Sequence, residues 1–125
     1  MSHLDMRDVL VVEDGPEQRS LIQRWIFHEM AVEVRACHSG EDALRVLEQR
    51  PPSLLVCDLE LPGIDGLEVI KQAQARSPEI RTLMLTANPN NERLRDAVHC
   101  KIDDFILKPL RRPDLLARVA RLLWA

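Results

Sequence analysis

Two continuous apolar runs, each ending directly in acidic residues, constrain the fold of this chain more than any other feature. The run at residues 9–12 is followed by Glu13 and Asp14, and the run at residues 54–57 is followed by Asp58. An unbroken apolar run of this length is typical of a strand covered on both faces, as in a parallel sheet with helices on each side. We therefore expect two central strands that end in carboxylates.

Three further segments complete a predicted five-stranded sheet. Residues 32–37 alternate apolar and charged side chains, which indicates a less covered strand nearer a sheet edge. Residues 80–85 and 105–107 are the remaining predicted strands, and they are followed directly by Thr86 and Lys108. Polar side chains therefore stand at the ends of four predicted strands.

Helices are expected between these strands because apolar residues recur there at helical spacing. The pattern around Ser39 resembles a capping box, in which the serine side chain accepts a hydrogen bond from the Asp42 amide. The fourth helix has only a thin apolar side, which includes Leu94 and Val98, and we expect it to be weakly anchored. The predicted helices cover residues 16–30 and 92–99, the segment between Ser39 and Pro51, the segment from Leu67 to Ser77, and the segment from Pro113 to Leu123.

This alternation of strands and helices predicts an α/β domain with a parallel sheet, right-handed crossovers and helices on both faces. The length of 125 residues fits one domain of ordinary size. We expect residues 1–125 to form that single domain, with residues 1–6 as a flexible N-terminal extension. In such a sheet, the functional site lies beyond the carboxyl ends of the strands.

The composition argues against several classes of function. Because 17 Lys and Arg stand against 20 Asp and Glu, direct binding of nucleic acid is not expected. The three cysteines form no CxxC pair, so reduced, buried thiols are predicted rather than a disulfide framework or a zinc site. No apolar run approaches the length of a membrane span, and the first residues lack a signal peptide's apolar stretch. We therefore expect a cytoplasmic protein that does not bind membranes.

The side chains predicted at the strand ends favour phosphoryl chemistry. Carboxylates from neighbouring strands repel one another and need a cation, and oxygen ligands without His or Cys favour Mg²⁺ or Mn²⁺. Lys108 supplies a positive charge and Thr86 a hydroxyl donor, both suited to the oxygens of a phosphoryl group. Asp58 lies at the centre and is the candidate nucleophile, because aspartate forms aspartyl-phosphate intermediates.

The order of these motifs resembles that of the receiver domains of two-component response regulators. The resemblance covers nearly the whole chain, and the combination is far more specific than any single motif. It implies a doubly wound sheet with the strand order 2-1-3-4-5. The motifs are the Glu13 and Asp14 pair, Asp58, the turn at residues 61–66, Thr86 followed by alanine, and Lys108 followed by proline.

The resemblance also implies roles for individual residues. Asp58 is expected to accept a phosphoryl group from a sensor histidine kinase or a phosphotransfer protein. Lys108 is expected to pair with that group, and the Lys108–Pro109 peptide bond is expected to be cis. The expected ligands of Mg²⁺ or Mn²⁺ are Glu13, Asp14, Asp58 and the backbone carbonyl of Glu60.

A switch pair of Thr86 and Phe105 is implied in the same way. When Thr86 moves toward the phosphoryl group, Phe105 is expected to turn inward and to change the face formed by the fourth helix, the fifth strand and the fifth helix. An output domain or a downstream protein is expected to respond to that change, and phosphorylation-dependent homodimerisation stays open. The domain is expected to catalyse only its own phosphorylation and dephosphorylation, and the residues do not decide whether it stands alone.

Several positions depart from the common family pattern. Bulky residues at 100–102 stand where a small glycine is often found, so that loop is expected to differ in shape. Phe105 lacks the hydroxyl of the tyrosine that is often present. Glu60 and Asn88 occupy variable positions that flank the phosphoryl site and modulate the lifetime of the phosphate.

Other functions would use part of the same residue pattern. A receiver that never takes phosphate and acts as an interaction module stays open. A haloacid-dehalogenase-type phosphatase also uses an aspartate nucleophile, but it needs a second aspartate where Glu60 stands and the chain has no cap domain. A flavin carrier fits less well, because no phosphate-binding loop rich in Gly, Ser and Thr follows the first strand.

Overall fold

Strands and helices alternate strictly through residues 7–125, which are the residues described by the computed structural model. The predicted extension at residues 1–6 lies outside the described residues. The strands are β1 (Asp8–Val12), β2 (Glu33–Cys37), β3 (Leu54–Asp58), β4 (Arg81–Thr86) and β5 (Asp104–Leu107). The helices are α1 (Pro16–Met30), α2 (Gly40–Gln49), α3 (Gly66–Arg76), α4 (Glu92–His99) and α5 (Arg112–Leu123).

The five strands form one parallel sheet in the order β2-β1-β3-β4-β5, which confirms the predicted doubly wound α/β fold. β1 and β3 lie inside the sheet, and β2 and β5 form its edges. In the sheet register, Val12 pairs with both Cys37 and Cys57, and Asp58 pairs with Leu85. The carboxyl ends of neighbouring strands are therefore level, and the residues that follow them meet at one edge.

The unbroken apolar runs are explained by the two layers of helices that cover the sheet. Leu10 and Val12 point into a core with α2, α3 and α4, while Val9 and Val11 point into a core with α1 and α5. Every residue of β1 and β3 is buried, as predicted for strands covered on both faces. β2 is only partly buried and lies at a sheet edge, which also agrees with its alternating sequence.

Side-chain caps define where three of the helices begin. The predicted capping interaction of α2 is confirmed, because the Ser39 side chain accepts a hydrogen bond from the Asp42 amide at 3.1 Å. Asp65 caps α3 in the same way, and Asn91 caps α4. Each cap satisfies a backbone amide that has no partner inside the helix.

The apolar side of α4 is narrower than predicted. Of the three residues on the predicted apolar side, Leu94 and Ala97 are buried, whereas Val98 is 50% exposed. A polar contact compensates, because the Arg93 guanidinium donates hydrogen bonds of 2.8 and 3.1 Å to the two carboxylate oxygens of Asp65. An ion pair thus ties the start of α4 to the start of α3.

The predicted buried thiols are only partly borne out. Cys57 is fully buried, whereas Cys37 and Cys100 are half-buried, and all three thiols are free. Burial raises the pKa of Cys37 to about 11 and that of Cys57 well above its usual value. Within residues 7–125, no helix is both long enough and apolar enough to cross a membrane.

Candidate functional site

Three carboxylates converge at the carboxyl edge of the sheet, where sequence analysis predicted a site. Glu13 and Asp14 follow β1, and Asp58 is the last residue of β3. One oxygen from each of these carboxylates lies within 4.8 Å of the others. Glu13 and Asp58 are 3% and 2% exposed, whereas Asp14 is exposed, so the cluster is buried on one side and open to solvent on the other.

Lys108 brings the one ammonium group that contacts this cluster among the described residues. Its Nζ donates to Asp58 Oδ2 at 2.7 Å and to Glu13 Oε1 at 3.1 Å. The backbone amide of Lys108 donates to the Thr86 carbonyl at 2.8 Å, which holds the residue beside the end of β4. The Lys108–Pro109 peptide bond is cis.

The charges of this site are not balanced. The pKa of Asp58 is raised to about 6, because burial and the neighbouring Glu13 charge outweigh the lowering by Lys108 and by the hydrogen bond from the Glu60 amide. Burial alone would lower the pKa of Lys108, but its hydrogen bonds with Asp58 and Glu13 outweigh burial and raise it. Lys108 therefore stays charged, and one ammonium is shared by more carboxylates than it neutralises.

The donor set fits a hard divalent cation such as Mg²⁺. The cluster offers carboxylate oxygens only. Mg²⁺ prefers such oxygen ligands, whereas zinc sites are built mainly from Cys and His. Glu13 is held in place because its Oε2 accepts a hydrogen bond of 3.0 Å from the Gly15 amide. Asp14 leaves the cluster open toward solvent, as an ion that keeps several water ligands requires.

The backbone around Asp58 is held closely. The Glu60 amide donates to Asp58 Oδ1 at 3.1 Å, and the Leu59 amide donates to the Leu85 carbonyl at 2.7 Å. Helix α3 begins against this segment at Gly66, where an added Cβ would lie 2.1 Å from the Asp58 carbonyl oxygen. Only glycine permits this close approach, so the turn at residues 61–66 positions Asp58 as well as starting α3.

The end of β4 presents two hydrogen-bond donors beside Asp58, and both are engaged by one carboxylate. The Thr86 hydroxyl donates to Glu60 Oε2 at 2.6 Å, and the Ala87 amide donates to Glu60 Oε1 at 3.0 Å. The Asn88 amide donates to the Thr86 hydroxyl at 3.2 Å, which orients that hydroxyl. Sequence analysis placed Glu60 and Asn88 beside the site but did not predict these contacts.

Asn91 is a further residue of this site that sequence analysis missed. Its Nδ2 donates to Glu60 Oε2 at 2.8 Å, while its Oδ1 accepts from the Arg93 amide at 2.9 Å. The only signal in the sequence was an asparagine just before the predicted helix, which is a common capping residue. The sequence therefore did not predict the contact between the Asn91 side-chain amide and Glu60.

Phe105 lies on β5, which β4 separates from the Asp58 strand, and pairs with Met84 in the sheet register. It is half-buried and packs against the core that includes α2, α3 and α4. Phe105 thus lies between the core and solvent on an edge strand.

The sequence matches a known domain family from β1 into α5. Residues 9–120 match the profile of the response regulator receiver domain. Among similar proteins, response regulator MprA of Mycobacterium ulcerans is 33% identical over 116 residues, which are 92% of this chain and 49% of that protein. Transcriptional regulatory protein TrcR of Mycobacterium tuberculosis is 30% identical over 115 residues, which are 92% of this chain and 44% of that protein. The chain thus spans less than half the length of these relatives.

Solved structures show the same fold. The BeF3-activated DrrB receiver domain superposes with a TM-score of 0.86 at 26% identity, over 96% of this chain and 99% of that one. A CheY-like receiver domain protein from Methanospirillum hungatei superposes with a TM-score of 0.88 at 23% identity, over 94% of each chain. The latter likeness concerns the fold alone.

Proposed function

This chain belongs to the response regulator receiver domain family of two-component systems, and from that premise we propose that it is a switch set by phosphorylation of Asp58. The family is one of signalling domains and not of classical enzymes. Within the proposal, the domain catalyses only its own phosphorylation and dephosphorylation. Its product is a changed surface and not a released compound.

The observation that supports this proposal most is the unbalanced charge around Asp58. A buried carboxylate that contacts Lys108, with Glu13 and Asp14 close by, is suited to bind a divalent cation and a phosphoryl group together. A structural ion pair would need only one carboxylate for the one ammonium. The additional carboxylates are explained by a cation that they hold.

In the proposal, Glu13, Asp14, Asp58 and the Glu60 backbone carbonyl hold Mg²⁺ or Mn²⁺. The bound ion supplies positive charge that offsets the negative charge of the carboxylates and of the incoming phosphoryl oxygens. The Gly15 amide keeps Glu13 oriented toward this position. Lys108 stays close to Asp58 and is available to a phosphoryl oxygen once Asp58 has reacted.

The proposed reaction is transfer of a phosphoryl group from a phosphohistidine of a partner kinase or phosphotransfer protein. A carboxylate oxygen of Asp58 forms a bond to phosphorus, and the bond from phosphorus to the histidine nitrogen breaks. The imidazole leaves with the electron pair of that bond. Lys108 and the Thr86 hydroxyl donate to the transferred phosphoryl group and stabilise its charge.

Signal output is proposed to follow from movement of Thr86. When its hydroxyl turns to the phosphoryl group, Phe105 turns inward and the face formed by α4, β5 and α5 changes. Phe105 is half-buried, so an inward turn would bury more of an apolar ring. The partners are proposed to be a histidine kinase or phosphotransfer protein and an output domain or downstream protein, in the cytoplasm.

Intact mass after incubation with Mg²⁺ and acetyl phosphate tests this function. We expect the wild type to gain one phosphoryl group, and we expect no gain in Asp58→Asn or after chelation of the metal. Phosphoramidate serves as a second donor with a different leaving group. A sample that gains no mass with either donor, and none from a histidine kinase, would instead indicate a phosphate-independent interaction module.

The phosphatase alternative is not proposed. The chain belongs to the receiver family, and Glu60 stands where the acid/base aspartate of a haloacid-dehalogenase-type enzyme is needed. The Glu60 carboxylate is also engaged by Thr86, Ala87 and Asn91 and does not face a leaving group.

A further inference from the structure

The side chain of Glu60 makes an unusual set of contacts for an exposed residue. It accepts hydrogen bonds from the Thr86 hydroxyl, the Ala87 amide and the Asn91 side-chain amide, at 2.6, 3.0 and 2.8 Å. These donors belong to β4, to the loop after it and to the residue that caps α4. One flexible carboxylate thus joins the β3–α3 loop to the start of α4.

The position of this carboxylate matters because one of its donors is the Thr86 hydroxyl, which the proposed function assigns to the phosphoryl group. Thr86 and Ala87 follow one another at the end of β4, the strand next to the Asp58 strand. An anion that already occupies a hydroxyl and an amide donor competes with any second anion that needs them. Glu60 is therefore placed as an internal competitor of the phosphoryl group.

Asn91 connects the Glu60 carboxylate with the first turn of α4, so the position of Glu60 affects the stability of that helix. Its Nδ2 holds Glu60 while its Oδ1 caps the first turn of α4 at the Arg93 amide. When Glu60 leaves, Asn91 loses a partner that fixes its rotamer, and the cap becomes less ordered. Because α4 has few buried apolar residues, its first turn depends more than usual on such polar contacts.

We infer that Glu60 and Asn91 form a latch that holds Thr86, Ala87 and the first turn of α4 until phosphorylation of Asp58 displaces the Glu60 carboxylate. This inference rests on the proposed function, since it concerns the response to the phosphoryl group. Asn91 acts here as a positioning residue, because it holds Glu60 and contacts no reacting atom. Loss of the latch is expected to loosen α4 and to speed phosphorylation.

Two variants open the latch from its opposite sides. Glu60→Ala removes the carboxylate and retains the Asn91 side chain, while Asn91→Ser keeps a capping oxygen but removes the amide that holds Glu60. Asn90→Ser is the matched control, because it alters the same loop but keeps the Asn90 backbone amide, which donates to Asn88 Oδ1 at 3.0 Å. The double variant Glu60→Ala with Asn91→Ser tests whether both residues act in one contact.

Amide hydrogen exchange of residues 92–96, followed by NMR in unphosphorylated protein, is the first measurement. We expect each latch variant to exchange roughly tenfold faster than wild type, which is the scale of one hydrogen bond to a charged group. We expect no further increase in the double variant and no change in Asn90→Ser. Wild-type exchange rates in both single variants would overturn the latch.

The rate of phosphorylation by acetyl phosphate is the second measurement. We expect an increase of roughly tenfold in Glu60→Ala, which frees the Thr86 and Ala87 donors, and of roughly threefold in Asn91→Ser, which only weakens the hold of Glu60 on them. Simple repulsion of the donor by Glu60 predicts no change in Asn91→Ser, because that variant keeps the charge, and this result would overturn the inference. Damage to the fold would slow the reaction instead.

The phosphorylated wild type provides the last comparison. Its exchange at residues 92–96 is expected to rise to the level of the unphosphorylated latch variants, and those variants are expected to change little on phosphorylation. Unchanged exchange in the phosphorylated wild type overturns the displacement step. Failure of Asp58 to take phosphate overturns the proposed function and that step together, whereas unchanged exchange in the unphosphorylated variants overturns the latch alone.

Discussion

Each end of the sheet has a buried aspartate, but the two carboxylates differ in how their charge is compensated. At the amino end, Asp8 is 7% exposed, and its carboxylate accepts hydrogen bonds of 2.7 Å from Arg35 and 3.2 Å from the Ser53 amide. At the carboxyl end, Asp58 is just as buried, but it shares Lys108 with Glu13.

The difference teaches that burial of a carboxylate does not identify a functional site by itself. Asp8 has a guanidinium and a backbone amide directed at it, so its charge is compensated within the fold. Asp58 is compensated only in part, and burial raises its pKa to about 6. We infer that incomplete compensation distinguishes the reactive end of the sheet from the structural end.

The largest expected effect comes from removing the cation at the carboxyl end. Lys108→Met is expected to slow phosphorylation of Asp58 by roughly 100- to 1,000-fold, because a preorganised positive charge is lost where phosphoryl charge must be stabilised. A mass time course with acetyl phosphate measures the rate. Arg35→Met, which removes the cation at the amino end, is the matched control and is expected to leave that rate nearly unchanged.

The next prediction concerns the free energy of unfolding, which is expected to depend on the cation at the amino end of the sheet. Arg35→Met is expected to lower the free energy of unfolding by about 3 kcal/mol, because the nearly buried Asp8 carboxylate loses its close cation and keeps only Arg50, at 4.0 Å. Urea denaturation measures this loss. Arg45→Met removes a cation from an exposed pair with Asp42 and is expected to cost less than about 1 kcal/mol. Equal losses in these two variants would contradict a special role for the amino end.

A third prediction concerns the pH dependence that partial compensation produces. The pKa of Asp58 rises from 3.8 to about 6 on folding, so the folded protein binds more protons between these values and loses stability as pH rises from about 4 to 6. Asp58→Asn removes this loss. Relative to wild type, its free energy of unfolding is expected to gain about 2 kcal/mol between pH 4 and pH 7.

Denaturant titrations of both proteins at a series of pH values, with chelator present, measure this gain. The comparison uses the change with pH, because Asp58→Asn also removes a partner of Lys108 at every pH. Curves that stay parallel from pH 4 to pH 7 would show that Asp58 is fully compensated and that the two ends do not differ.

The smallest effect is expected at the loop before β5, which lies at the amino end of the sheet. Lys101 adopts a φ of 63°, in the left-handed region that favours glycine. Lys101→Gly is expected to stabilise the domain by about 0.5 kcal/mol, since relief of strain exceeds the added entropy of the unfolded chain. Thermal unfolding measures the gain, and an altered phosphorylation rate would indicate that this end also serves the site.

Much of the architecture was predictable because local patterns and tertiary packing agree. The apolar runs before Glu13 and Asp58 identified the central strands, and Ser39 identified the start of α2. The same runs placed the charged residues at the carboxyl edge. The predicted ends of several strands differ from the observed ends by one residue. β1, for example, begins at Asp8, whose charge has a partner only in the folded sheet.

The contacts of long polar side chains were not predictable from spacing. Glu60 reaches Asn91 across 31 positions of sequence, and Arg93 reaches Asp65 across 28. Such contacts depend on rotamers that form only when the loops are assembled. For the same reason, Asn91 was expected as no more than part of a loop, and the ion pair that anchors α4 was missed.

The edges of the sheet bear on how two copies of this domain would meet. β2 presents Glu33 and Arg35 along one edge, and β5 has only four residues and begins with Asp104, which is bound by Arg118. Charged and short edge strands disfavour the addition of a further strand from another chain. A dimer of this domain is therefore expected to form through its helices and not by continuing the sheet from one copy into the next. The same edge strands protect the fold against edge-to-edge aggregation.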